Sequence, residues 1–192
     1  LYSAIKFYKA AKEKGIKPII GCEVYVAPRS RDDKNDKLDR TPYHLVLLCE
    51  NNIGYNNLVK LVSLSSIEGF YSKPRVDIEI LEKYHEGLIA LSGCIAGEVP
   101  RKILDKDFEG AKETIIRYKN IFGENNYFIE LQNHGIQEAE KQYRRIGKRP
   151  PLRQQPQMPQ YTFNPCTHRY GKTAVSLGQH NEMSNFAAIY VL

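Results

Sequence analysis

Four short apolar segments, separated by stretches with helical spacing, constrain the fold of this 192-residue chain more than any other feature. The apolar segments cover residues 19–26, 43–49, 88–91 and 127–131. Apolar side chains in the stretches between them recur every three or four positions, which is typical of amphipathic helices. Strands that alternate with helices predict an α/β fold with mainly parallel strands, and the pattern fits a barrel and an open sheet equally.

Four segments and one shorter piece are predicted to be helical. They cover residues 1–14, the segment from Tyr55 to Gly69, and residues 97–104 and 107–122, with a short amphipathic piece at 78–81. Residues 28–42 combine both charges with two prolines and have no apolar face. That composition predicts a solvated loop or insertion between the first two strands.

The net charge of +6 suggests a nucleic-acid partner until its distribution along the chain is considered. Residues 1–142 hold 21 Lys and Arg and 21 Asp and Glu, so they are neutral. Residues 143–192 hold seven basic residues and a single acidic one, Glu182. The excess charge therefore gives no support for DNA binding by the part of the chain with strand and helix patterns.

The character of the sequence changes after Gln142. Half of the ten prolines fall in residues 143–192, and only residues 186–192 have strand-like or helix-like content. Two interpretations fit this Pro/Arg/Gln-rich tail: a disordered basic linker, or translation in the wrong frame. The sequence thus divides into residues 1–142, which have a folded pattern, and residues 143–192.

Cysteine usage and hydropathy favour a reducing, aqueous setting such as the cytoplasm. The four cysteines are scattered and form no C-x-x-C pair. No apolar run approaches the ~20 residues of a membrane span. The chain opens inside a helical pattern without a Met, which indicates a fragment of a longer protein.

Three residues with metal-binding side chains occupy comparable positions at strands. Glu23 lies in the first strand, His44 begins the second, and Cys94 follows the third. A carboxylate, an imidazole and a thiolate suit borderline divalent ions such as zinc. Each also has an ordinary structural interpretation: a solvent-facing Glu, a histidine hydrogen-bonded in the core, and a small buried Cys.

Five blocks of sequence resemble the PHP (polymerase and histidinol phosphatase) domain of the alpha subunits of bacterial DNA polymerase III, the C-family replicative polymerases. The blocks occur in that family's order and extend from residue 1 to about residue 142. They are IKFYKAAKEKGIKPIIGCEVYVAP, YHLVLL, GYNNLVKLVSLSSIEGFYSKPRVD, EGLIALSGCIAGEVP and YFIELQNHGI. Residues 1–142 are on this basis identified as a partial PHP domain.

The resemblance implies an incomplete, distorted (β/α)7 barrel that gathers divalent metal ions, zinc or manganese, at its strand ends. Glu23, His44 and Cys94 match ligand positions of that family, and His134 matches a histidine that is a possible secondary ligand. No residue is assigned a catalytic role. The family's opening H-x-H and T-D-H blocks are absent, and His168 lacks the aspartate of the closing N-D-x-H block.

The function that the resemblance implies is that of a fragment of the alpha, or catalytic, subunit. The parent protein would be a DNA-directed DNA polymerase with DNA, deoxynucleoside triphosphates and other holoenzyme subunits as partners, and magnesium in its polymerase domain. The PHP region would be a metal-dependent phosphoesterase, a 3′→5′ proofreading nuclease or a structural platform. A free-standing phosphoesterase of the histidinol-phosphatase kind and a non-enzymatic interaction module are the alternatives.

Overall fold

The computed structural model of the chain describes residues 4–130 and 186–191. Its helices are α1 (Ala4–Glu13), α2 (Asn52–Ile67), α3 (Ile78–Lys83), α4 (Glu98–Leu104) and α5 (Phe108–Phe122). Its strands are β1 (Lys17–Val26), β2 (Tyr43–Cys49), β3 (Arg75–Val76), β4 (Leu88–Leu91), β5 (Tyr127–Phe128) and β6 (Phe186–Val191). The predicted second and third strands are confirmed with their predicted ends, whereas β3 lies in a stretch interpreted as polar loop.

The strands form one curled, mixed sheet, a half-barrel in the order β3-β1-β2-β4-β5, with β6 also paired to β1. The pairs β1–β3, β1–β6 and β4–β5 are parallel. Strand β2 pairs antiparallel with both β1 and β4. The prediction of mainly parallel strands is therefore wrong for β2, which runs against its neighbours through the centre of the sheet.

The reversal of β2 follows from the connection that precedes it. Parallel neighbours need a crossover, usually through a helix, whereas a simple reversal of the chain produces an antiparallel pair. Residues 27–42 contain no helix and lead directly from the end of β1 to the start of β2. The sequence predicted that this segment is a loop, and an antiparallel pair is the direct consequence.

The two faces of the sheet differ in what covers them. One face packs against α2, α3 and α5 and forms the main core, which includes Val24, Leu45, Leu61, Leu81 and Tyr118. The opposite face has a smaller apolar cluster, to which Ile19, Val46 and Leu91 belong. Alternate residues of a strand point to opposite faces, so Glu23 and His44 share this second face with Val46.

The loop between β1 and β2 is organised around a buried arginine. Arg75 is fully buried and donates hydrogen bonds to four backbone carbonyl oxygens, at 2.8–3.3 Å. The acceptors are the carbonyls of Gly69, Arg31, Asp33 and Asp39. Through these hydrogen bonds the guanidinium of Arg75 holds the loop against β3.

Charged side chains complete the attachment of this loop. Asp39 is inaccessible to solvent and accepts hydrogen bonds from Arg29 at 2.6 and 2.9 Å. Those hydrogen bonds lower the pKa of Asp39 below its ordinary value. Arg31 lies 3.1 Å from Asp77, the residue that caps the start of α3. The segment lacks regular structure, as predicted, but it is anchored at both ends rather than simply solvated.

The described part of the chain includes one strand from the tail. Residues 186–191 form β6, which lies parallel to Lys17–Cys22 of β1, so this predicted apolar segment is a strand. Residues 143–185 lie outside the described part of the chain, and with them Cys166 and His168. Among the helices described, none is long and apolar enough to cross a bilayer.

The start of α2 lies directly against the turn that leads into β4. A methyl group built on Gly54 would lie 1.8 Å from the carbonyl oxygen of Gly87. We expect Gly54→Ala to lower the free energy of unfolding by about 2–3 kcal/mol, because the helix must move away from the turn. Urea denaturation measures this change. Asn56→Ala, an exposed position two residues on, should change it by less than ~0.5 kcal/mol, and equal effects would contradict this packing.

Candidate metal centre

The reversed strand β2 places His44 beside Glu23. Tyr25 pairs with His44 in the register of β1 and β2, and Glu23 pairs with Val46. Residues two apart in a strand point to the same face, so Glu23, Tyr25 and His44 project together. Because β2 runs opposite to β1, the first residues of β2 lie at the carboxyl end of β1. A parallel β2 would have placed His44 at the other end of the sheet.

Cys94 reaches the same place through the turn that follows β4. Gly93 has φ of +75°, a left-handed conformation that favours glycine. The backbone N–H of His44 donates to the carbonyl of Ala96 at 3.1 Å, which holds this turn against the start of β2. The backbone N–H of Ala96 in turn donates to Cys94 Sγ at 3.4 Å. The turn therefore presents the sulfur toward the imidazole.

Two of the three predicted ligands, Glu23 and Cys94, contact the same nitrogen atom of the third, His44. His44 Nδ1 lies 3.0 Å from Glu23 Oε1 and 3.5 Å from Cys94 Sγ. The side chains of Glu23 and His44 retain 19% and 21% of their solvent exposure. The cluster is thus partly buried but open to small solutes. Residues from β1, β2 and the turn after β4, far apart in sequence, are brought together here.

The electrostatics of the cluster favour a positive charge at His44. Hydrogen bonds to Cys94 and Glu23 raise the pKa of His44 to about 9. The hydrogen bond from His44 lowers the pKa of Cys94 below its ordinary value. Burial has the opposite effect on Cys22 and Cys49, on the core face, and raises the pKa of each thiol to about 11. Of the three cysteines in the described residues, Cys94 is therefore the one whose surroundings favour the thiolate, the form that binds metals.

The donor chemistry of the cluster fits a divalent metal ion, but its present arrangement is not that of a metal site. Within residues 4–130, no group of three or more His, Cys, Asp or Glu side chains is positioned to hold an ion. The carboxylate of Glu23 and the sulfur of Cys94 both lie against His44 Nδ1. A proton on that nitrogen takes the place that a metal ion would occupy between the donors. Three protein donors would leave the fourth position of a zinc ion to water, as in catalytic zinc sites.

Two side chains that the sequence analysis did not assign to the site lie next to it. The Tyr25 ring meets the His44 ring edge to face, with centroids 5.0 Å apart. Lys73 Nζ lies over the Tyr25 ring, 4.4 Å from its centroid. The alternation of β1 would have placed Tyr25 on the face of Glu23, whereas nothing in the sequence pairs Lys73 with Tyr25, because the contact depends on β3.

Two further histidines in residues 1–142 are His85 and His134. His134, the possible secondary ligand, lies outside the described residues. His85 lies in the turn before β4, with Nδ1 2.7 Å from the carbonyl oxygen of Glu82. It lines an open surface cavity of about 520 Å³ beside α5, together with Glu113, Arg117 and Asn120. That cavity contains none of the three predicted ligands.

Comparison with known proteins identifies the class to which this fold and cluster correspond. The chain belongs to the PHP domain family, whose profile matches residues 1–134. It is similar to proteins named DNA polymerase III subunit alpha from several bacteria. It is 52% identical to that of Borreliella burgdorferi over 77% of the chain, 47% to that of Treponema pallidum over 73%, and 49% to that of Thermus aquaticus over 73%.

The aligned regions cover most of this chain but only a small part of each relative. The aligned regions cover 13%, 12% and 12% of those three relatives, so the chain spans about one eighth of their length. The resemblance seen in the five sequence blocks is thereby confirmed at the level of the family and of its relatives. The matched share of the chain, about three quarters, agrees with a resemblance that ends near residue 142.

Proposed function

We propose that this chain is part of the alpha subunit of a bacterial DNA polymerase III, within which residues 1–142 contribute to a metal-binding PHP domain of distorted (β/α)7 form. The observation that carries the proposal is the contact of Glu23, His44 and Cys94 in a chain about 50% identical to such subunits. Three donor types from separate elements meet at one point, at the strand ends where α/β folds assemble sites.

In this proposal Glu23, His44 and Cys94 hold zinc or manganese, with His134 as a possible further ligand. A bound ion of this kind supplies Lewis acidity and an activated water for phosphoester hydrolysis. The chain's own residues position the donors. β1 and β2 fix Glu23 and His44 through their register, and the left-handed turn at Gly93 fixes Cys94. The hydrogen bond to His44, which lowers the pKa of Cys94 from its ordinary value, favours the form of the sulfur that binds a cation.

The proposal extends to the parent protein as follows. The whole subunit would be a DNA-directed DNA polymerase in the bacterial cytoplasm, acting on DNA and deoxynucleoside triphosphates with magnesium in its polymerase domain. Other subunits of the replicative holoenzyme would be its protein partners. These 192 residues alone would not polymerise DNA, since the chain corresponds to about one eighth of the relatives' length.

Hydrolysis of a labelled oligodeoxynucleotide tests the phosphoesterase part of the proposal. We expect the intact alpha subunit that contains this chain, supplied with manganese or zinc, to release nucleotides from the 3′ end of the labelled strand, and these 192 residues alone to be inactive. The same preparation should act poorly on histidinol phosphate. Gel electrophoresis resolves the labelled products of the oligonucleotide, and phosphate release measures the hydrolysis of histidinol phosphate. The Glu23→Gln variant is compared in parallel, because it removes the charge of a proposed metal ligand and keeps the shape of the side chain.

Three results would change the assignment. Hydrolysis of histidinol phosphate alone would favour a free-standing phosphoesterase. Metal retention without any hydrolysis would favour a structural platform for other subunits. The reading frame of the gene provides an independent check, because a polymerase subunit requires many hundreds of further codons. A gene that ended soon after this region in every frame would contradict the alpha-subunit proposal.

A further inference from the structure

Lys73 occupies a distinctive place beside the candidate metal centre. Its ammonium lies over the ring of Tyr25, and the same ring contacts the imidazole of His44. One aromatic side chain therefore links this cation to the three predicted ligands. Lys73 and Arg75 are two residues apart in the sequence, but the fold places them in different surroundings. Arg75 is buried as a structural anchor, while Lys73 is exposed at the site.

A rigid turn determines where Lys73 points. Ser72 has φ of +62°, the left-handed region that a serine seldom adopts. The backbone N–H of Tyr71 donates to the carbonyl of Lys73 at 3.0 Å, which closes the turn. The Arg75 guanidinium lies 5.2 Å from the centroid of the Tyr71 ring and fixes the base of the turn. A residue held in a rare backbone conformation by its surroundings is a reason to look for a function there.

The charge of Lys73 is not neutralised by the part of the chain that the structure describes. Its ammonium forms none of the ion pairs found among these residues, although carboxylates are plentiful in the neighbouring loop. Arg29 and Arg31 in that loop are paired with Asp39, Asp77, Glu68 and Glu79. The two arginines thus engage nearby carboxylates of the loop, of the end of α2 and of the start of α3, and Lys73 stays available to an external anion.

We propose that Lys73 binds a phosphate oxygen of the substrate beside the metal centre and acts as a positioning residue for the phosphoester group. This inference rests on the proposed phosphoesterase function, because that function defines the anion. A lysine ammonium is a compact charge with three donors, well suited to a phosphate that carries several acceptor oxygens. The aromatic contact with Tyr25 limits the conformations of the long side chain and keeps its charge over the ring that contacts His44.

Titration of the full 192-residue chain with inorganic phosphate, followed by NMR, tests this inference directly. We expect saturable shifts at the backbone amides of Ser72 and Lys73 and at the Lys73 ammonium. Lys73→Gln should raise the dissociation constant about ten-fold, because it removes a charge-assisted hydrogen bond. Lys73→Arg, which keeps the charge, should stay within about three-fold of the unaltered chain.

Lys60 provides a matched control on another part of the molecule. Its ammonium lies over the Tyr84 ring, 5.3 Å from the centroid, so it has the same kind of aromatic contact away from the predicted ligands. Lys60→Gln should leave phosphate affinity unchanged. An unaltered phosphate affinity in Lys73→Gln, an equal loss in Lys60→Gln, or the absence of saturable shifts near Ser72 would each overturn the inference. Circular dichroism establishes that every variant remains folded.

The outcome also separates this inference from the function on which it rests. If the chain retains metal but Lys73→Gln binds phosphate normally, the inference fails and the metal-centre proposal stands. If the chain retains no metal but phosphate binding still depends on Lys73, the metal-centre proposal fails and the anion site stands. Metal content is measured on the same samples by mass spectrometry.

Discussion

Glu23→Gln should bind zinc or manganese at least ten-fold more weakly than the unaltered chain. The carboxylate lies 3.0 Å from His44 Nδ1 and supplies negative charge to the cluster. The amide of Gln keeps the size of the side chain but binds a divalent cation much less strongly. Loss of a group that merely orients a metal ligand typically costs about 10–100-fold in affinity, so the loss of a ligand should cost no less. Metal content after dialysis at fixed free metal gives the measurement.

Cys94→Ala should reduce metal affinity to a similar extent, because it removes the thiol whose surroundings favour the thiolate. The controls are Cys49→Ala, which removes a thiol on the core face, and Glu79→Gln, which alters an exposed carboxylate paired with Arg31. Both controls should retain the metal content of the unaltered chain. Equal metal content in all four variants would show that the three contacting residues are not metal ligands.

The second large effect concerns the anchor of the loop between β1 and β2. Arg75→Met should lower the free energy of unfolding by about 3–5 kcal/mol, because it removes the donor of four hydrogen bonds to backbone carbonyls. Four carbonyl oxygens lose their donor at the same time, and unsatisfied buried polar groups are costly. Methionine fills most of the volume, so the change reports the hydrogen bonds more than a cavity. Chemical denaturation followed by circular dichroism measures it.

Arg101→Met is the comparison for this experiment. Arg101 also combines an aromatic contact, with Tyr43, and a hydrogen bond to a carbonyl, that of Thr41, but the bond is long at 3.5 Å and lies at the surface. Its replacement should change stability by less than about 1 kcal/mol. Limited proteolysis adds a local measurement, because Arg75→Met should expose residues 28–42 to cleavage. Equal stability of the two variants would show that burial of Arg75 contributes little.

The parts of the fold that the sequence could predict are those in which a local pattern decides the outcome. The apolar runs at residues 43–49 and 88–91 became strands with the predicted ends, and residues 107–122 became α5. Strand β3 was missed because its two residues, Arg75 and Val76, are too few for alternation to be visible. Its pairing with Tyr25 and Val26 depends on β1, more than forty residues earlier in the chain.

The candidate site was only partly accessible to the same reasoning. Glu23, His44 and Cys94 were recognised from their side-chain chemistry and their positions at strands, and the structure brings them together. Their convergence depends on the direction of β2, which the sequence analysis predicted wrongly. The burial of Arg75 and the contact of Lys73 with Tyr25 arise from long-range packing. No periodicity in the sequence encodes such contacts.

The antiparallel pairing of β1 with β2 makes the candidate site sensitive to an error of a single residue during folding. A slip of one residue would turn His44 toward the core and Leu45 toward the ligands, because adjacent residues of a strand face opposite ways. Leu45 and Leu47 are almost completely buried against the helices, so such a slip would place an imidazole in an apolar interior and expose two leucines. Burial of Leu45 and Leu47 in the hydrophobic core therefore stabilises one strand register, and the same register brings the ligand cluster together.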